Sequence, residues 1–234
     1  METAVHPASV AHLRLARLEA ITVGTLEWLT GEERQRLDAM ASPERRRNYV
    51  TGHSLARELG ARWHGVDIAR LSVHRLADGR PCLHLDGAPS PLWLSLSHSG
   101  GWILAGIATV PIGVDVEVPR RARDIDALAR HVFAPEEAGR LAAMASDGRL
   151  GAFHEIWALK EARGKRTGEG ILPGRSRCVR AVAAAPGAAE AMSWRLGEAG
   201  AAAVAVQGVA AVRVDDDGLL GQPRHWRFES VELP

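Results

Sequence analysis

Lysine is almost absent from this chain. Of its 29 lysines and arginines, two are lysines, Lys160 and Lys165, and the other 27 are arginines. An excess of charge of one sign is missing too. The 28 acidic residues leave a formal net charge of +1, so overall charge directs the protein neither to nucleic acid nor to an anionic membrane. Two cysteines, Cys82 and Cys178, stand far apart and form no CxxC pair and no zinc pattern. The expectation is a reduced, cytoplasmic protein. No apolar run reaches membrane-span length, and the opening METAVHPASVAHLRLARLEA has no apolar core of the signal-peptide kind. What remains is an ordinary globular composition, 46% hydrophobic and 24% charged over 234 residues, enough for one large domain or two small lobes.

Periodicity divides the chain. Residues 12–22 alternate and predict a strand. Thr30-Gly-Glu-Glu33 has the form of a capping box, and Ser42-Pro43 places a cap and a first-turn proline before a helix running to about Trp63. Short strands at 71–76 and 80–85 flank the turn Ala77-Asp78-Gly79. LWLSLSHS (92–99) alternates, WILAGIA (102–108) is a continuous apolar run, and IGVDVEV (112–118) follows the break at Val110-Pro111. Residues 124–165 turn helical in three pieces, starting near Asp124, Pro135 and Asp147. Strands return at 176–183, 193–196, 202–206, 209–214 and 225–231. This order predicts an α+β protein of two lobes, 1–109 and 110–234, although no sequence repeat marks them as copies.

Three stretches carry chemistry. In IGVDVE, residues two apart on a strand share a face, so Asp115 and Glu117 project together while Val114 and Val116 point into a core. Two neighbouring carboxylates repel unless a cation lies between them, and a hard divalent ion does this well. A solvated acidic strand face is the plainer reading. In WALKEARGK, Glu161 and Lys165 are four apart on a helix and Trp157 lies one turn earlier. A surface salt bridge accounts for that spacing but not for both lysines of the chain falling here. Lysine is a compact point charge suited to a phosphate in a tight pocket. In LSHSGGW, Ser97, His98 and Ser99 end a strand before a Gly-Gly turn, a place either for anion binding or for a structural turn. Arg45, Arg46 and Arg47 at a helix start, Arg80 in DGRP, and PRRARDIDALAR (119–130) supply further cations, for an anion, an acidic partner or solvent.

Taken in order, these stretches resemble the 4′-phosphopantetheinyl transferases of the surfactin-synthetase-activating type. The resemblance rests on Ile112-Gly-Val-Asp-Val-Glu117 and Trp157-Ala-Leu-Lys-Glu-Ala-Arg-Gly-Lys165, some forty residues apart. The Ser-His-Ser strand end, the Gly-Arg-Pro turn and Phe133-Ala-Pro-Glu-Glu137 support it, over about residues 40–175. It implies two similar α+β lobes with coenzyme A in the cleft between them. It implies that the phosphopantetheine arm moves to a serine of an apo carrier protein, with release of adenosine 3′,5′-bisphosphate, by a monomer needing neither nucleic acid nor membrane.

The resemblance also implies roles. Asp115, Glu117 and Glu161 would hold Mg²⁺, for which Mn²⁺ could substitute. Lys165 would sit on the phosphates. Ser97 and His98 would face the adenosine 3′-phosphate with a cation from Arg45–Arg47, Arg47 being the equivalent position. Arg80 would lie along the nucleotide, and Lys160 would contact phosphate or carrier. Glu161, or failing it Glu137, would take the proton from the carrier serine, and Glu161 as metal ligand and as base both stay open. Gly164 departs from the family pattern, which carries a larger residue there, and predicts a helix end near Lys165. Two alternatives share some of these residues: a Mg²⁺-dependent hydrolase of a nucleotide pyrophosphate, and a non-catalytic protein docking an acidic carrier through 119–130.

Overall fold

The computed structural model describes residues 10–21, 25–119 and 124–232. Its first half holds β1 (Val10–Arg17), α1 (Gly31–Asp38), α2 (Pro43–His64), β2 (Leu71–Arg75), β3 (Pro81–Leu85), β4 (Ala88–Ser99) and β5 (Trp102–Ala108). Its second half holds β6 (Ile112–Glu117), α3 (Ile125–Val132), α4 (Pro135–Ala142), α5 (Ser146–Thr167), α6 (Pro173–Ser176), β7 (Val179–Ala183), β8 (Ala191–Leu196), β9 (Gly200–Val206), β10 (Ala211–Asp215) and β11 (Arg224–Ser230).

The strands form two sheets, ordered β10-β1-β5-β4-β3-β2 and β6-β9-β8-β11-β7. All pairings are antiparallel except β1 with β10. Through β10, the second half of the chain lends a strand to the first sheet. Alternation sets the layers. Leu13, Leu15 and Leu104 of the first sheet pack against Val114, Val116 and Val204 of the second. The opposite face of the first sheet, with Ile103, Ala105 and Ile107, receives α2 through Leu55, Ala56 and Leu59. The opposite face of the second, with Ala201, Ala203 and Ala205, receives α5 through Ala158, Leu159 and Ala162. The order is therefore helix, sheet, sheet, helix: an α+β fold of two lobes joined back to back. WILAGIA is apolar throughout because β5 is covered on both faces.

Two caps sit where the sequence predicts. Thr30 and Glu33 form a reciprocal capping box on α1, and Ser42 caps α2, which ends at Gly65 in the left-handed region (φ 64°). Other boundaries differ. β1 stops at Arg17, and Leu18–Ala20 form a 3₁₀ turn whose Leu18 N–H is taken by the Gly101 carbonyl. The strand expected at 176–183 begins at Val179, after α6. Helix α5 runs on to Thr167. Gly164 does not end it: a side chain there would strike the Gly170 carbonyl of the returning loop, whose N–H bonds the Gly164 carbonyl at 3.1 Å.

Candidate active site

The site forms where β6, the edge strand of the second sheet, lies between α5 and β4. Gly113 permits the helix contact, because a Cβ there would overlap the Ala162 carbonyl oxygen on α5. With sheet and helix this close, Lys165 of α5 reaches β6. Its ammonium donates to the Val114 carbonyl at 3.0 Å and to Asp115 Oδ1 at 2.7 Å. Lys165 thus turns to the strand instead of pairing along the helix with Glu161. Trp157 anchors the preceding turns by packing beside Phe153, ring centroids 5.6 Å apart.

On its other side β6 is stitched to β4 by three alternate serines. The hydroxyls of Ser95, Ser97 and Ser99 accept the N–H groups of Val114, Val116 and Val118 at 3.0, 3.3 and 3.4 Å. Ser97 donates to Asp115 Oδ1 at 2.7 Å, and Ser99 to Glu117 Oε2 at 3.1 Å. The serines therefore satisfy donors of an edge strand that lacks a neighbour on that side. Ser97 and His98, both expected to face a phosphate, leave β4 on opposite faces. Adjacent strand residues point to opposite faces: the Ser97 hydroxyl meets β6, whereas His98 lies on the α2 side, its Nδ1 3.3 Å from Asn48 Nδ2.

Asp115 is 3% exposed, and its Oδ2 is buried without a hydrogen-bond partner. Burial, together with the Asp115 carboxylate, pushes the Glu161 carboxyl up from its usual range, while Lys165 pulls it partly back. An orphaned carboxylate oxygen and a second carboxylate that resists ionisation suit a hard divalent cation. Among the described residues no group of three or more His, Cys, Asp or Glu is placed to hold a metal by itself. The donors therefore fit an ion such as Mg²⁺ that takes one or two carboxylates and completes its shell with substrate oxygens.

A cleft of about 290 Å³ adjoins this cluster, lined among others by Arg45, Asn48, Tyr49, Arg75, Ser97 and His98. Ser97 belongs to both cleft and cluster. Arg45, not Arg47, supplies the helix cation here, because 45 and 48 share a helix face. Arg47 lines a different cleft with Leu18 and Ile21, and Arg46 ties α2 to the Leu37 carbonyl at 2.5 Å. Arg75, Asn48 and Tyr49 were not singled out by sequence. Asn48 Oδ1 and Tyr49 Oη are buried and unpartnered. Their only sequence signal is the step of three and four residues from Arg45, which keeps them on one helix face. Arg80 pairs with Asp78 (2.6 Å), lies 5.2 Å from the Trp93 ring centroid and flanks Gly168 just past the C-terminus of α5.

Two expected site residues take another role. Glu137 is fully buried: its carboxylate accepts the Ala134 and Ala181 N–H groups at 2.9 and 2.8 Å and pairs with Lys160 at 2.9 Å. Lys160, 5% exposed, spends its other donors on the Ser176 and Val179 carbonyls at 2.9 and 2.5 Å. Neither has a group left for substrate, so both are part of the scaffold. Burial lowers the Lys160 ammonium from its ordinary value, and the Glu137 charge opposes that. In the 119–130 segment, Arg120, Arg121 and Arg123 lie outside the described residues.

Two sheets, two long helices and an Asp-x-Glu edge strand facing a Glu–Lys helix define a class, and comparison with known proteins agrees. Residues 111–205 match the model of the 4′-phosphopantetheinyl transferase superfamily. The chain is 31% identical over 144 residues to 4′-phosphopantetheinyl transferase HetI of Nostoc sp., covering 61% of each. It is 30% identical over 153 residues to a 4′-phosphopantetheinyl transferase of Bacillus subtilis, covering 65% of this chain and 66% of that one. Against 4′-phosphopantetheinyl transferase Sfp of Bacillus subtilis it is 29% identical over 166 residues, covering 65% and 71%. The match spans less than two thirds of the length of the first two relatives. The likeness to the 4′-phosphopantetheinyl transferase superfamily thus takes in residues 111–205, which hold Asp115, Glu117, Glu161 and Lys165.

Proposed function

We propose that this protein transfers the 4′-phosphopantetheine group of coenzyme A to a serine of an apo carrier protein and releases adenosine 3′,5′-bisphosphate. The observation that carries the reading is the partnerless, buried oxygen of Asp115, set beside Lys165 and a Glu161 of raised pKa, where an arginine-lined cleft opens. In this reading the serine oxygen attacks the phosphorus that bears the pantetheine arm. The bond from that phosphorus to the bridging oxygen breaks, and the bisphosphate leaves with the electron pair. Glu161 accepts the serine proton; its raised pKa moves it toward the range a base needs near neutral pH. Lys165 places a fixed positive charge against the phosphates. Arg45, Arg75 and His98 take the 3′-phosphate end, and Arg80 flanks the nucleotide. Asp115 and Glu161 would hold Mg²⁺, which supplies charge neutralisation at the pyrophosphate, and Glu117 is the third acid that the family resemblance adds.

The same reading divides the chain into lobes 1–109 and 110–234, with residues 211–215 crossing back to the first sheet. It makes the protein a monomer acting in the cytoplasm.

The direct test incubates the full chain with coenzyme A, Mg²⁺ and several apo carrier proteins and weighs the carriers by mass spectrometry. Transfer adds one phosphopantetheine, roughly 340 Da for the chemistry of a single phosphoryl transfer. Unmodified carriers together with cleaved coenzyme A would replace this reading with a hydrolase.

A further inference from the structure

We propose that the serine row of β4 positions the carboxylates of β6, with Ser97 fixing Asp115 so that its unpartnered oxygen is presented to a divalent cation. The inference rests on the metal-site reading given above. Its unit is a relay of two hydrogen bonds. The Val116 N–H donates to Ser97 Oγ at 3.3 Å, and Ser97 Oγ donates to Asp115 Oδ1 at 2.7 Å. Because a backbone donor of β6 occupies a lone pair of the hydroxyl, the hydroxyl proton is directed to the carboxylate one residue back on the same strand. Lys165 grips the same Oδ1 at 2.7 Å. With both donors on one oxygen the carboxylate cannot rotate, and Oδ2 is left buried and open.

The unit occurs three times in register and is complete twice. Val118 N–H, Ser99 and Glu117 repeat it, at 3.4 and 3.1 Å. Val114 N–H donates to Ser95 at 3.0 Å, but the residue one step back is Gly113, so this copy holds the strand and no acid. Ser95 is therefore a built-in control: it shares the seam and lacks the carboxylate. A hydroxyl whose proton is committed to Asp115 is not a donor to a phosphate, so Ser97 acts through Asp115 as a positioning residue. Partners of metal ligands at this remove alter metal affinity about 10–100-fold.

The test measures Mn²⁺ binding to the full-length protein by electron paramagnetic resonance, with Mn²⁺ alone and with added coenzyme A. It compares wild type, Ser95→Ala, Ser97→Ala and Ser97→Thr. Ser97→Ala should weaken Mn²⁺ binding about tenfold or more, and Ser97→Thr, which keeps the hydroxyl, should restore most of it. Ser95→Ala should lose thermal stability to a similar extent with Mn²⁺ affinity unchanged. In turnover, Ser97→Ala should raise the metal concentration for half-maximal rate more than the KM for coenzyme A. Equal weakening in both alanine variants, no weakening in Ser97→Ala, a rise confined to the KM for coenzyme A, or a wild type that binds no Mn²⁺ would each overturn the inference. If no carrier is modified while Ser97→Ala still weakens Mn²⁺ binding selectively, the transferase reading fails and the positioning role stands.

Discussion

In the first lobe the short helix α1 presents Glu33 to Arg57 of the long helix α2; in the second, α4 presents Glu137 to Lys160 of α5. Each acid is the third residue of its eight-residue helix, and each cation is the fifteenth of its 22-residue helix. Each carboxylate turns back to an N–H at its own helix start, Thr30 or Ala134, at 2.9 Å. Each cation also reaches the carbonyl of the first residue of an edge strand, Leu71 of β2 at 2.9 Å or Val179 of β7 at 2.5 Å. The lobes share a buried ionic hub that locks a short helix, a long helix and a sheet edge together. One residue past the cation stand Glu58 and Glu161, and five past it Arg62 and Lys165. Here the lobes part. Glu58 accepts the Ser54 hydroxyl (3.3 Å) and Arg62 pairs with Asp215 of β10 (2.8 Å), whereas Lys165 holds Asp115. What the lobes share is scaffold; what differs is the candidate chemistry. Lys160, which puzzles in the sequence, belongs with the scaffold.

The sharpest way to break this comparison is to remove corresponding acids from the two long helices. Glu161→Gln should lower kcat about 10²–10⁴-fold as a lost base, with a melting temperature no lower than that of wild type, since burial disfavours the charged carboxylate that Gln replaces. Glu58→Gln should turn over like wild type. Equal effects of the two changes would erase the distinction between the lobes.

The hubs should behave alike. Glu33→Ala and Glu137→Ala each strand a buried cation and should each cost about 3–5 kcal/mol in urea unfolding. A Glu137→Ala protein of wild-type stability but without turnover would return Glu137 to the chemistry.

Helix contacts sharpen the contrast further. Gly113→Ala drives a methyl into the Ala162 carbonyl and should cost about 3 kcal/mol, the upper end for overpacking. Gly60→Ala meets only the ends of Leu71 and Leu83, at 3.0 and 3.2 Å. Side-chain ends can yield, and alanine gains about 1 kcal/mol of helix propensity, so its stability should stay near wild type. Comparable losses would show that the two helices approach their sheets alike.

The smallest effect is a difference in acid sensitivity. His53, Arg57 and the Thr30 N–H hold Glu33 at a pKa of about 2 against burial, below its ordinary 4.5. The folded protein therefore binds fewer protons than the unfolded chain in that window. The stabilisation is complete above 4.5 and is lost as pH falls toward about 2. Burial lowers the His53 pKa, which adds to the loss as that imidazole is forced to charge below 6.5. Glu161 has the opposite sign: its raised pKa stabilises the protein fully below 4.5, and that contribution fades as pH rises above it. Unfolding curves measured across the acid range should be flatter for Glu33→Ala than for wild type. Unchanged steepness would remove Glu33 as the source.

Much of this was legible in sequence because it is local. The caps at Thr30 and Ser42, the continuous apolar β5 and the shared face of Asp115 and Glu117 follow from spacing alone. The internal correspondence was not legible, since only a few scattered charges persist, the hub acid and cation standing 24 residues apart in one lobe and 23 in the other. Nor was the use of the serines, although the alternation that pairs Asp115 with Glu117 also separates Ser97 from His98. The resemblance pointed to Arg47 for the anion, whereas helix phase sets Arg45 in that cleft and Arg47 in another.

The sequence by itself determined which elements form and which residues share a face, because helix and strand periods are properties of neighbouring residues. It also carried the family resemblance. Only the tertiary structure decided which charges meet. Glu137 and Lys160 consume each other 23 residues apart in sequence, and Lys165 crosses from helix to strand because Gly113 lets two backbones touch. Whether a charged group is scaffold or site depends on partners brought from distant segments, and no local pattern encodes those distances.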